Sequence, residues 1–138
     1  YGKGVEQNYK KSIEYYELSF EPNNSDALYQ LGNLYFHGFG VEKNYKICFE
    51  YYELSAEQNN LQGKFCYALL NSNQEIFEKF IKECIDSNHL DAMYHYGMYL
   101  EKNENDIENV IQYYKKSADQ GHIDSFLRLI KSTTKKII

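Results

Sequence analysis

The chain repeats itself, and this restricts its fold more than any other feature. Gly2–Ser19 reads GKGVEQNYKKSIEYYELS and Gly38–Ser55 reads GFGVEKNYKICFEYYELS, identical at 13 of 18 positions at an offset of 36 residues. Two weaker echoes extend the pattern. VIQYYKKSADQG from Val110 realigns with CFEYYELSAEQN from Cys48, and DALYQLGNLYFHG from Asp26 returns as DAMYHYGMYLEK from Asp91. A period of this size marks an array whose units cannot each bury an apolar face alone and must stack on their neighbours.

Each unit has two halves, and both carry helical periodicity. In the first, Ala27, Leu31, Leu34 and Tyr35 share one face, with Gly32 beside them. The same positions return as Gly63, Tyr67 and Leu70 with Ala68, and as Ala92, Tyr96, Tyr99 and Leu100 with Gly97. A recurring small residue inside a helix gives up propensity, about 1 kcal/mol for glycine, so a neighbouring helix is expected to cross closely there. In the second half, Cys48, Tyr52 and Ala56, then Ile76, Phe80 and Cys84, then Val110, Tyr114 and Ala118 make one stripe at steps of four. Gly38-Phe39-Gly40-Val41 lies between the halves as a helix end and turn, with Val41 folding back onto the pair. Asn24, Asn44, Asp91 and Asp106 stand near predicted helix starts, where their side chains can cap free amides.

Helices are therefore predicted near residues 8–20, 25–37, 44–58, 62–71, 74–87, 91–102, 106–120 and 123–133, the turn shortening in later units. The array divides into a partial unit at 1–23, a full unit at 24–60, a shortened one at 61–88, a full one at 89–121 and a partial one at 122–138. Such phasing leaves an apolar face at each end for further units, so the chain is expected to be part of a longer array. One proline, Pro22, in 138 residues agrees with helices joined by short turns.

These residues resemble the Sel-like repeats, relatives of the tetratricopeptide repeat with a glycine-containing helix connection. The resemblance rests on Ala27, Leu31, Gly32, Tyr35, Gly38, Gly40, Val41, Tyr52 and Ala56, and again on Ala92, Gly97, Tyr114, Ala118 and Gly121. It implies an all-α fold, an α/α superhelical solenoid of antiparallel helix pairs with about 36 residues per unit and a concave wall lined by first helices. It also implies a non-catalytic scaffold or adaptor for protein partners. Alternatives it raises are a regulatory segment of a kinase or of an endoplasmic-reticulum degradation complex, and a β-lactam-binding, hydrolase-like protein. The last goes with a disulfide in each repeat, a regular cysteine pairing that Cys48, Cys66 and Cys84 do not provide.

Charge and composition exclude other classes. A net charge of −5 with no long lysine cluster argues against nucleic acid as a partner. No apolar run approaches the ~18 residues of a membrane span, so direct membrane insertion is not expected. Three cysteines without CxxC spacing suit small buried hydrophobes in a reducing compartment, and the expected location is cytoplasmic. His89 and His122 sit at equivalent turns between units and read as repeat features, and His37 and His95 have no carboxylate or cysteine at metal-ligand or triad spacing, so neither a metal, a cofactor nor a catalytic residue is assigned. The tyrosine doublets 15–16, 51–52 and 113–114 recur with the repeat and read as packing, one ring in the core and one over the adjacent unit.

Binding capacity should lie on the first-helix side opposite Ala27. Repeat arithmetic stacks Tyr29, Phe65, Tyr94 and Leu127 in one column, Asn33, Leu69, Met98 and Lys131 in a second, and Gln30, Cys66, His95 and Arg128 in a third. The candidate site is Tyr29, Gln30, Asn33, Phe65, Leu69, Tyr94, His95, Met98 and Leu127, facing a peptide or protein. The same rings could instead pack within the stack, as aromatic residues at helical spacing commonly do.

Overall fold

The computed structural model describes residues 2–18, 24–103 and 106–137. Among them it places helices α1 (Gly2–Leu18), α2 (Ser25–His37), α3 (Tyr45–Glu57), α4 (Leu61–Leu70), α5 (Gln74–Asp86), α6 (Leu90–Asn103), α7 (Ile107–Ala118) and α8 (Ile123–Ile137), with no strand. The all-α repeat fold expected from the sequence is the one adopted. The chain divides into two compact units, one ending at Phe80 and one beginning at Ile81.

In the first unit α1 packs on α2, α2 on α3 and α3 on α4. One core cluster joins Cys48, Tyr52, Ala56 and Tyr67, and a second joins Ile13, Leu31 and Leu34, with Tyr16, Val41 and Tyr51 against it. Val41 thus folds back as expected, and the two tyrosines of the α3 doublet have different surroundings. Tyr52 is buried, while Tyr51 stacks on Tyr35 at 5.8 Å. In the second unit α6 packs on α7 and α7 on α8 around Ala92, Met93, Leu100, Val110 and Tyr114.

The recurring small residue has a definite reason. A Cβ added at Gly32 would lie 2.5 Å from Cε1 of Tyr52, and one at Gly97 would lie 2.7 Å from Cε1 of Tyr114. The glycine lets the second-helix tyrosine ring lie directly on the first helix. A serine then ties each pair at its other end: Ser55 Oγ donates to the Ser25 carbonyl at 2.8 Å, and Ser117 Oγ to that of Leu90 at 3.0 Å.

The two glycine-rich segments behave differently although their sequences match. Gly38 ends α2 with φ 73°, its N–H donating to the Leu34 carbonyl, and Gly40 takes φ 75°. A Cβ on Gly40 would fall 2.6 Å from Tyr9 Cβ and 2.8 Å from Lys10 N, so this turn also needs glycine for its close approach to α1. Gly2–Val5 instead continues α1, which begins earlier than the predicted residue 8. The predicted end of the first helix at residue 20, and part of the connection at 102–105, lie outside the described residues. Helix α8 runs past the predicted residue 133 to Ile137.

Three turns between helix pairs share one construction. A residue with positive φ (Asn59 at 68°, Asn88 at 61°, Gly121 at 94°) is followed by the N-cap of the next first helix. Asn60 Oδ1 accepts from Gly63 N at 2.9 Å, His89 Nδ1 from Ala92 N at 3.1 Å and His122 Nδ1 from Ser125 N at 3.1 Å. Asn24, Asn44 and Asp106 cap as expected. Asp91 does not: it sits in the first turn of α6, and His89 takes the capping role because it stands three residues before the free amide.

Candidate functional site

In the first unit, Tyr29 and Gln30 line an open cleft of about 550 Å³ with Tyr15, Tyr16, Asn24, Asp26, Ala27 and Gln62, between α1 and the starts of α2 and α4. Gln30 is exposed, while Tyr29 is half-buried with its ring 6.1 Å from that of Tyr52. Asn33, from the second column, is committed to the fold: its Oδ1 accepts from the Tyr52 hydroxyl at 2.5 Å. Phe65 is half-buried and Leu69 exposed. Cys66 packs against the Cys48–Tyr52 cluster, and burial pushes both the Cys48 and Cys66 thiols up to about 11, while their hydrogen bonds to Tyr52 pull the other way. Thiols so held are poor nucleophiles at neutral pH.

In the second unit the Tyr94 ring lies 5.3 Å from those of His95 and His122 and 6.2 Å from that of Tyr114, and Arg128 hydrogen-bonds to it. Tyr94 is therefore held from three sides. Met98 and His95 are half-buried, and Leu127 is exposed. Burial lowers the His95 pKa against the opposing field of Asp91, with His122 and His89 adding to the lowering. The buried Tyr114 hydroxyl donates to Glu101 Oε2 at 2.8 Å, and Arg128 and Lys135 lie 3.6 and 3.4 Å from the Glu101 carboxylate. Met98 occupies the place where α2 has Asn33, and since it offers no oxygen, the tyrosine partner moves one turn along to Glu101.

A second cleft in the first unit was not anticipated from sequence. Phe36 from α2, Tyr45, Lys46 and Phe49 from α3 and Leu70 from α4 surround an open, mostly apolar space of about 610 Å³. Phe36 and Tyr45 meet edge to face at 5.7 Å, and Phe49 and Tyr67 at 4.9 Å. One signal was available. Phe36 and Phe49 are aromatic where the aligned positions in the second unit hold Glu101 and Ile111, so neither ring is a requirement of the repeat.

The arrangement offers these two open clefts in the first unit. Among the described residues no group of three or more His, Cys, Asp or Glu side chains could hold a metal ion, and no helix is long and apolar enough to cross a membrane. Helix pairs seated by a tyrosine on a glycine, joined by left-handed turns and leaving clefts beside the first helices, define a tetratricopeptide-like helical-repeat protein. The Sel1 repeat model matches residues 1–21, 25–60 and 90–122, and the chain belongs to that family. Between the second and third matches, residues 61–89 are left unmatched. Two solved structures share the fold. A Sel1 repeat protein from Oxalobacter formigenes superposes with a TM-score of 0.76 at 22% identity, covering 89% of this chain and 53% of that one. The protein c5321, a protective antigen of uropathogenic Escherichia coli strains displaying an SLR fold, superposes with a TM-score of 0.80 at 23% identity, covering 91% of this chain and 29% of that one. This chain thus spans about half of the first and under a third of the second. No curated protein matches it.

Proposed function

We propose that the chain is a non-catalytic interaction scaffold that takes a peptide or a helix of a protein partner against its first helices. Sel1 repeat proteins mediate protein–protein interaction, and that is the general background of this reading. The observation that carries it is the cleft holding Tyr29 and Gln30, where ring faces lie next to exposed amides. Such a mixture suits an apolar anchor whose backbone must also be hydrogen-bonded. The residues proposed to meet the partner are Tyr29, Gln30, Phe65 and Leu69 in the first unit and His95, Met98 and Leu127 in the second. Asn33 and Tyr94 act through the residues they hold.

Selection from a random peptide library on the folded chain tests this. Selected peptides should lose at least tenfold in affinity on Tyr29→Ala combined with Gln30→Glu, with helicity unchanged. Unaltered affinity in that variant would overturn the assignment of the cleft. A second seat is favoured by the aromatic lining around Phe36. Peptides that ignore the first variant and respond to Leu70→Lys bind there instead.

A further inference from the structure

Two helices of the second unit, α6 and α8, are capped by histidine where α4 of the first unit is capped by asparagine, with the same capping hydrogen bond. In the first unit, Asn60 Oδ1 caps α4, and its Nδ2 donates to Asp26 Oδ1 at 2.7 Å. In the second, His122 Nδ1 caps α8, and its Nε2 lies 2.7 Å from Asp91 Oδ1. Asp91 is the repeat counterpart of Asp26, one residue before Ala92 as Asp26 is before Ala27. His89 caps α6 through Nδ1 in the same way. An imidazole accepts at Nδ1 only while that nitrogen carries no proton, so these caps require the neutral ring with hydrogen on Nε2. Asparagine has no such condition.

We propose that the His89 and His122 caps make the second unit acid-responsive: a proton on Nδ1 withdraws the acceptor from the starts of α6 and α8, whereas the caps of the first unit are insensitive. The consequence is twofold at each end. An amide loses its partner, and a positive charge appears at a helix N-terminus, where the dipole opposes it. The groups around the two rings bear on the outcome. From α6 come Asp91, which favours the proton, and His95 and Tyr94. From α7 comes Tyr114, whose hydroxyl is committed to Glu101, with the Lys115–Asp119 pair closed on itself at the exposed face. From α8 comes Arg128, hydrogen-bonded to Tyr94. His89 is 9% exposed, and burial lowers its pKa against the opposing field of Asp91. Because α6 carries Tyr94, His95 and Met98, acid should loosen that part of the surface. The inference does not depend on whether that surface binds a partner.

Amide hydrogen exchange on the full chain from pH 7.5 to 5, corrected for the intrinsic rate, tests it. Protection at Ala92 and Ser125 should fall about fivefold or more on acidification, the size expected for losing a cap. Ala27 and Gly63, capped by asparagine, should hold their protection. His89→Asn with His122→Asn restores the residue used in the first unit and should abolish the difference. Constant protection at Ala92 and Ser125 through the titration, or an equal loss at Ala27 and Gly63, would overturn the proposal. So would an acid response that persists in the double variant.

Discussion

His122 reaches Asp91 at 2.7 Å across two helix starts, and through that contact it links α8 to α6 as Asn60 links α4 to α2. One side chain caps its own helix with one atom and grips the preceding first helix with another. Within each unit, then, first helices are tied at their starts by a side-chain hydrogen bond.

The glycine under each tyrosine ring sets the spacing of the helix pair. Gly32→Ala should destabilise the chain by about 1–3 kcal/mol through overpacking, outweighing the ~1 kcal/mol that alanine gains over glycine within a helix. Gly97→Ala should behave alike, since its new Cβ would meet Tyr114 at 2.7 Å. Urea unfolding reads both, and a stabilised variant would show that the rings move aside at no cost.

The two buried tyrosine hydroxyls should differ in worth. Tyr52→Phe removes a hydrogen bond to a neutral amide and should cost about 1 kcal/mol, whereas Tyr114→Phe removes one to the Glu101 carboxylate and should cost about 1.5–3 kcal/mol. Double-mutant cycles with Asn33→Ala and Glu101→Ala check the assignment. Zero coupling in either cycle contradicts the pairing.

Gly40 should be the less replaceable of the two turn glycines. Both have positive φ, but at Gly40 a Cβ would also meet the Lys10 backbone nitrogen at 2.8 Å, while at Gly38 the nearest atom is Cγ of the flexible Lys43 chain. Gly40→Ala should therefore loosen α1 from α2 and speed proteolytic removal of α1. Gly38→Ala should lower overall stability with α1 still protected. Equal cleavage of the two variants would show that only φ matters.

Thiol chemistry gives a pH-dependent reading of the core. Cys48 is fully buried and Cys66 half-buried, and burial pushes both up to about 11. The thiolate is the reactive form, so alkylation of the native chain at pH 8 should be slower at Cys66 than in a free peptide and rise steadily toward pH 11. Cys48 and Cys84 should react only on unfolding. Rapid labelling of Cys48 in the folded chain would contradict the packing around Tyr52.

Much of this was legible in the sequence because it is local and repeated. The 36-residue offset, the stripe Cys48–Tyr52–Ala56 and the small residues at Gly32, Ala68 and Gly97 identified helices, their faces and a close crossing. The site was less legible. Column arithmetic treated Tyr29, Asn33 and Tyr94 as equally free, yet Asn33 is consumed by Tyr52 and Tyr94 is braced by His122 and Arg128. The cleft around Phe36 escaped because its walls come from three helices with no common spacing.

The sequence by itself determined that the chain is a helical repeat, where its helices lie and which residue in each must be small, since helix period and steric size act over a few neighbouring positions. Only the tertiary structure decided which oxygen each buried tyrosine finds, that His89 rather than Asp91 caps α6, and where a cleft stays open. Those outcomes depend on distances between residues far apart in the chain, and hydrogen bonds are settled over tenths of an ångström that no repeat period encodes.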